Sequence, residues 1–220
     1  MPFMTASARS QQSVTACLAR RTLIGLGLAA LTSPVVAQSA DPKQGITDLY
    51  AALHVVMRMP ANASFQSRFD RLAPVIDRVL DIDTILRSSV GLRWNTLDEA
   101  SRRILFTVFR AFTIASYAAN FDKDGGEKFE ILPQVRTSGA DQIVNSKLIA
   151  TNGEPIRLDY LMRSGVGGWR VVDVLLDGSI SRVAVQRSDF RALLVSGDSA
   201  PLIESLKKKV AELSNGAMRL

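Results

Sequence analysis

One cysteine and one histidine are all that the 220 residues contain of those two types. Cys17 lies in an N-terminal stretch that is expected to be removed, so the rest of the chain has no disulfide, no thiol nucleophile and no thiolate metal site. His54 has no second ligand at metal spacing and sits among residues at helical spacing, which points to a structural or exposed imidazole. Aromatics are scarce at 6%, so the core must be built from Leu, Val, Ile and Ala. Phosphate loops are missing too: Gly165-Val166-Gly167-Gly168 falls in a hairpin turn rather than between a strand and a helix. Asp122-Lys123-Asp124 begins like a calcium loop, but Glu127 stands where that loop needs glycine and Pro133 where it needs glutamate. Ser205-Leu206-Lys207-Lys208 matches a serine–lysine signature by letters alone, and Lys207-Lys208-Lys209 reads as a solvated helix face. No cofactor or metal site follows from any of these, and no pattern points to a nucleic acid.

The first 37 residues read as a cleaved export signal. Arg9, Arg20 and Arg21 are the only charges before Asp41. Thr22 to Leu31 is a short apolar run, broken by Gly25 and Gly27, and shorter than the roughly 20 residues a membrane span needs. Val35-Val36-Ala37 resembles a signal-peptidase site before Gln38. The Arg20-Arg21 pair weakly resembles a twin-arginine signal. Val14-Thr15-Ala16-Cys17 imitates a lipoprotein box but precedes the apolar run. Loss of three arginines takes the formal charge from +6 to +3. A mildly basic exported domain, residues 38–220, is what remains.

That domain begins as helix. Ile46, Leu49, Tyr50, Leu53, Val56 and Met57 recur at helical spacing, and Phe65, Phe69 and Leu72 continue from a Ser64 cap. Pro74 is expected to restart the chain. Val75, Ile76, Val79 and Leu80 form the next stripe, which Gly91 should end. Thr96-Leu97-Asp98-Glu99 offers a capped start for a helix running to Phe121. Between Ile104 and Phe121 its only charge is Arg110. A helix so apolar must be buried on most sides, or form one wall of a cavity. After Gly125-Gly126 the period becomes two: Phe129, Ile131 and Val135; Ile143 to Ala150; Ile156, Leu158, Tyr160 and Met162; Trp169 to Leu175. Four strands with short turns predict an antiparallel meander with one covered face. Ile180 to Val195 and Pro201 to Leu213 return to helix. Helices, then sheet, then helices make an α+β layout.

The acids divide into two groups. Asp81 and Asp83 lie near Arg78 and Arg87, a spacing that usually gives solvated ion pairs. Asp173 lies inside an apolar strand, where a carboxylate needs a partner. Arg187, at the start of the next helix, is the expected one, making a structural pair.

Trp169-Arg170-Val171-Val172-Asp173-Val174, Gly178-Ser179-Ile180-Ser181, Arg187-Ser188-Asp189-Phe190 and Leu202-Ile203-x-x-Leu206 resemble the toluene-tolerance, MlaC-type, periplasmic lipid-binding family. Val90-Gly91-Leu92-Arg93-Trp94, Tyr117-Ala118-Ala119-Asn120-Phe121-Asp122 and Gly126-Glu127-x-Phe129 resemble its hopanoid-associated, HpnM-like branch. Val185-Gln186 departs from the commoner pattern, which tends to have Asn-Tyr there. The resemblance implies a curved antiparallel sheet of nuclear-transport-factor-like type packed on helices, with lipid tails in an apolar cavity between the layers. It implies a periplasmic carrier of a phospholipid or hopanoid-type lipid that works with an inner-membrane transporter or permease complex and touches membrane surfaces transiently. It implies no catalytic residues. Phe109, Phe112, Leu158, Tyr160 and Val171 are then the expected lipid-binding wall. An exported hydrolase using a buried acid such as Asp173, and a non-enzymatic envelope scaffold, are the alternatives.

Overall fold

The computed structural model describes residues 41–151, 153–194 and 197–220. The expected export signal, 1–37, lies outside them. Helix α1, Lys43–Met57, buries the whole stripe from Ile46 to Met57. Helix α2, Phe65–Val79, opens at Ser64, whose hydroxyl accepts from the Ser67 amide. It does not restart at Pro74 but runs through it. Phe69, Leu72, Ile76 and Val79 bury one unbroken stripe across the proline. That burial outweighs the hydrogen bond the proline forfeits, a cost of about 3 kcal/mol in an isolated helix. Helix α3, Ile82–Val90, is capped by Asp81, which accepts from the Thr84 amide and hydroxyl. It ends at Gly91, whose φ of +67° suits glycine. Asp83 pairs with Arg87 as expected, whereas Arg78 reaches across to Asp48 on α1. A short 3-10 helix, Gly91–Thr96, buries Trp94.

Helix α4, Glu99–Asn120, starts two residues later than Thr96 would place it, because Asp98 caps it by accepting from the Ser101 amide. Leu105, Val108, Ala111, Ile114, Ala115 and Ala118 are buried, on the side where α4 packs against α2 and α6. The alanines let α6, Ala200–Leu213, approach closely with Leu202, Ile203, Leu206 and Val210. No described helix is long and apolar enough to cross a membrane.

The sheet is an open antiparallel meander of five strands in chain order: β1 Lys128–Ser138, β2 Asp141–Ile149, β3 Ile156–Gly165, β4 Gly168–Leu176 and β5 Ile180–Ser181. The fifth strand, two residues long, was not expected. Two irregularities bend the sheet. In β1 the register slips between Ile131 and Val135, around Pro133, which has no amide to donate. In β4 it slips by one residue: Leu161 faces Asp173, but Met162 faces Val171. This bulge leaves Val171 and Val174 pointing to the same side although three residues apart. Gly178, in the turn before β5, has φ of +73°, and a Cβ there would lie 2.8 Å from the Arg157 guanidinium.

The two layers are tied at the α2–α3 corner. Arg170 on β4 donates to the Asp77 and Leu80 carbonyls, each at 2.6 Å, which are among the last acceptors of α2. The Asp81 amide donates to Val171 O at 2.9 Å. On the sheet's outer face Asp159 is fully buried, its carboxylate held by Arg157 at 2.7 and 3.0 Å and by Arg136 at 2.8 Å. Burial pushes its pKa up, but the hydrogen bonds from Arg157 and the positive charges of Arg157 and Arg136 outweigh that and leave it below the ordinary carboxylate value.

Candidate functional site

Phe109, Phe112, Thr113, Ser116, Tyr117 and Asn120 recur along α4 at steps of three and four, so they share one face. That face is turned from α6 and looks onto the inner side of the sheet. A cavity of about 310 Å³ lies between them, at the small end of the range for ligand sites. The sheet contributes Phe129, Leu158, Tyr160, Val174 and Leu176, with Asp173 at the edge of the lining. Tyr50 and Leu53 of α1, and Leu80 and Ile85 at the α2–α3 corner, close it at the sides. Helix α5, Arg182–Arg191, adds Arg182, Val183 and Gln186. This explains why α4 is apolar nearly all round. One side packs on helices and the other faces a void.

Four of the five expected wall residues line this cavity: Phe109, Phe112, Leu158 and Tyr160. Val171 does not. It is fully buried beside Met162 and the Leu80 bridge, and the β4 bulge gives its place in the wall to Val174. The cavity has two unlike ends. Phe109 meets Phe112 and Phe190 with ring centres 6.3 and 6.1 Å apart, and both Phe109 and Leu80 are buried, so this end is closed and apolar. Towards the other end of α4 lie Tyr117 and the exposed Asn120, with the exposed Arg182 opposite on α5.

The tyrosines bring hydroxyls into the apolar wall. The Tyr50 hydroxyl lies 2.6 Å from Ser146 Oγ and donates to the Tyr160 hydroxyl at 3.1 Å. Ser146 in turn donates to Leu158 O at 2.7 Å. Tyr50 also stacks on Phe129 with ring centres 4.4 Å apart. Burial raises the pKa of both phenols, only partly opposed at Tyr50 by its hydrogen bonds. Burial, reinforced by neighbouring Tyr50 and opposed by Arg182, pushes Tyr117 up to about 12. At neutral pH all three are therefore uncharged hydroxyls.

Asp173 and Arg187 are not a pair. Arg187 Nε donates to the Ser88 carbonyl at 2.8 Å. The Asp173 carboxylate accepts from Ser181 Oγ and from the amides of Val174 and Val183, at 2.8 and 3.1 Å for the amides. The Ser181 oxygen itself accepts from the Ala184 amide at 2.9 Å. The bulge turns the carboxylate to the sheet edge, where the first amides of α5 are unsatisfied donors and the helix dipole favours an anion. Asp173 therefore seats the N-terminus of α5, and with it Arg182 and Val183. The sequence reading missed Tyr50, Tyr117 and Arg182. The α4 stripe was open to inspection as a spacing. The contribution of α5 depends on the bulge and had no sequence signal.

Among the described residues His54 lies against the Phe129 ring, 5.1 Å between centres, and no imidazole attends Ser181. Asp124 accepts from the Gly126 amide and from Arg58, as a tight acidic turn does.

No curated protein matches the chain. A solved structure similar to it is a phospholipid-binding protein from Ralstonia solanacearum in complex with a phospholipid. That chain is 21% identical, with a TM-score of 0.68, and the alignment covers 80% of this chain and 99% of that one. At that identity the likeness establishes the fold, a curved, unclosed sheet packed on helices. The MlaC protein family model matches residues 50–208, which include the α4 face, every strand and the α5 seat, and the chain belongs to that family.

Proposed function

We propose that this protein is a periplasmic lipid-binding carrier that shields the apolar part of a lipid between membranes and exchanges it with an inner-membrane transporter or permease complex. The cavity between the α4 face and the inner sheet carries this reading. Each 100 Å² of lipid tail withdrawn from water there is worth about 2.5 kcal/mol. The volume suits the apolar end of a lipid, with a polar head left at the mouth. The similar Ralstonia solanacearum chain, solved with a phospholipid, supports a phospholipid as cargo. The Val90–Trp94 and Tyr117–Asp122 segments, which resemble the hopanoid-associated branch, favour a hopanoid-type lipid as the alternative cargo. Binding rather than turnover fits a cavity in which the Tyr50 and Tyr160 hydroxyls bond to each other and those of Thr113 and Ser116 bond back to the α4 backbone.

Native mass spectrometry of protein recovered from the periplasm without detergent tests this. The expected protein mass begins at Gln38, accompanied by an adduct of lipid mass. An empty protein that turns over esters or glycans would instead support the hydrolase reading. A chain with its N-terminus intact would refute the export signal.

A further inference from the structure

Two sequence motifs, Val90–Trp94 and Arg187–Phe190, contribute nothing to the lining of the cavity. The fold brings them together at the end of the molecule away from its mouth. A Cβ on Gly91 would lie 3.7 Å from the Arg187 side chain, and one on Gly197 would lie 3.3 Å from the Thr96 carbonyl. The second half of α5 and the segment after it therefore run along the 3-10 helix from its start to its end. Within that helix Trp94 is buried under the Arg87 and Arg102 guanidiniums, 5.4 and 5.6 Å from its ring. Leu92, two residues earlier, is 92% exposed.

The charge around Leu92 is one-sided. Arg93, Arg187 and Arg191 are exposed and belong to no ion pair among the described residues. Arg187 and Arg191 stand one turn apart on the same face of α5. The nearby acids are occupied: Asp83 pairs with Arg87, Asp98 caps α4, and Glu99 pairs with Arg103. Asp189 is two residues from both α5 arginines and so lies on the other side of that helix. A protruding leucine thus stands among three guanidiniums with no counter-charge.

We propose that the 3-10 helix and the adjoining face of α5 form a docking surface for an anionic bilayer, with Leu92 entering the interface and Arg93, Arg187 and Arg191 meeting lipid phosphates. A protein partner would need a pocket fitted to the leucine. A bilayer is soft, admits a protruding apolar side chain anywhere, and offers phosphates beside it. Each arginine close to an anionic surface strengthens association about fivefold, so the attachment is reversible. The surface lies at the N-terminal end of α4, while the cavity opens towards the C-terminal end of that helix. Its 22 residues put about 33 Å between the two. A docked molecule therefore holds its mouth away from the bilayer it sits on. This goes beyond the carrier reading and does not depend on what the cavity holds.

Quenching by vesicles tests it. Protein recovered from the periplasm, in a Cys17→Ser chain, carries one introduced cysteine labelled with bimane: Asn95→Cys beside the 3-10 helix, or Ser179→Cys in the turn by the mouth. The vesicles are phosphatidylcholine with about one-third phosphatidylglycerol, an anionic surface of the kind that attracts arginine, and bear headgroup nitroxides. The Asn95 label should be quenched and the Ser179 label spared, and the effect should fade in phosphatidylcholine alone and as salt screens the charge. Leu92→Ser should weaken vesicle binding at least about tenfold. Arg93→Gln with Arg191→Gln should weaken it about thirtyfold, whereas Lys209→Gln, an equal loss of charge on α6, should change it little. All these variants should keep their co-purifying lipid. Quenching at Ser179 instead of Asn95, quenching at neither, equal binding to uncharged vesicles, or full binding by Leu92→Ser and the arginine pair each overturns the docking surface. A dimer in sedimentation that Leu92→Ser dissociates, with no vesicle binding, would mean that the leucine seats in a second copy and would also overturn it. Protein quenched at Asn95 but free of any lipid adduct would keep the docking surface and remove the carrier reading.

Discussion

Replacing Asp173 by asparagine probes the seat of α5 directly. The carboxylate takes three donors: the Ser181 hydroxyl and the amides of Val174 and Val183. Asparagine keeps one acceptor oxygen, turns the other into a donor, and removes the charge that faces the helix N-terminus. Hydrogen bonds to charged groups contribute about 1.5–3 kcal/mol each, and loss of a helix cap about 1 kcal/mol. Asp173 is only partly buried, so water replaces part of what is lost, and a net destabilisation of about 2 kcal/mol is expected. For a domain of this size that lowers Tm by roughly 4–8 °C. Thermal unfolding followed by circular dichroism measures it. Arg187→Ala supplies the second corner of a double-mutant cycle. Arg187 bonds to Ser88 rather than to Asp173, so the two losses should add within about 0.5 kcal/mol. A coupling above about 1 kcal/mol would restore the ion pair that the sequence suggested. An unchanged melting curve for Asp173→Asn would refute the seat.

Phe112→Trp should fill part of the cavity and cut co-purifying lipid, read by native mass spectrometry, with little loss of stability, because the larger ring enters a void. A loss of the 1–3 kcal/mol typical of an overfilled core, with lipid loading unchanged, would show that Phe112 is core and not wall. Asp159→Asn should lower stability by about 2 kcal/mol: breaking a buried pair costs about 3–5 kcal/mol, discounted because Arg136 and Arg157 are half exposed and can be rehydrated. The pKa of Asp159 lies below its ordinary value of 3.8 when folded, so its contribution is present above about pH 4 and is lost as pH falls through the folded value. Acid titration of stability should therefore be steeper below pH 4 in the unaltered protein than in Asp159→Asn, and equal slopes would refute the assignment.

How far the sequence could be read depended on whether a feature was local. The stripe of α1, the Ser64 cap, the Gly91 stop and the strands β2 and β3 follow from residues within one element, and all are found. Pro74 misled because a lost hydrogen bond is visible in sequence, while the burial of Phe69, Leu72, Ile76 and Val79 on one stripe is tertiary. Val171 misled for a related reason. Period two places Val171 and Asp173 on one face, and only the partner strand reveals that β4 carries an extra residue. Asp159 alternates with Leu158 and Tyr160 and so reads as a solvated outer residue. Its burial comes from Arg136 and Arg157 closing over it, 23 and 2 residues away in the chain.

The same bulge links the cavity wall to its mouth. If the β4 residues alternated without a bulge, Asp173 and Leu175 would follow Val171 to the inner face, and a carboxylate would enter the apolar wall, where an unpaired charge is costly. With it, Val174 and Leu176 face the cavity beside Tyr160 and Leu158, and the carboxylate reaches the edge, where the amides of α5 need an acceptor. The helix seated there returns Arg182, Val183 and Gln186 to the rim of the cavity. One displaced residue therefore turns the carboxylate towards the α5 amides at the cavity rim and places a cation at the entrance.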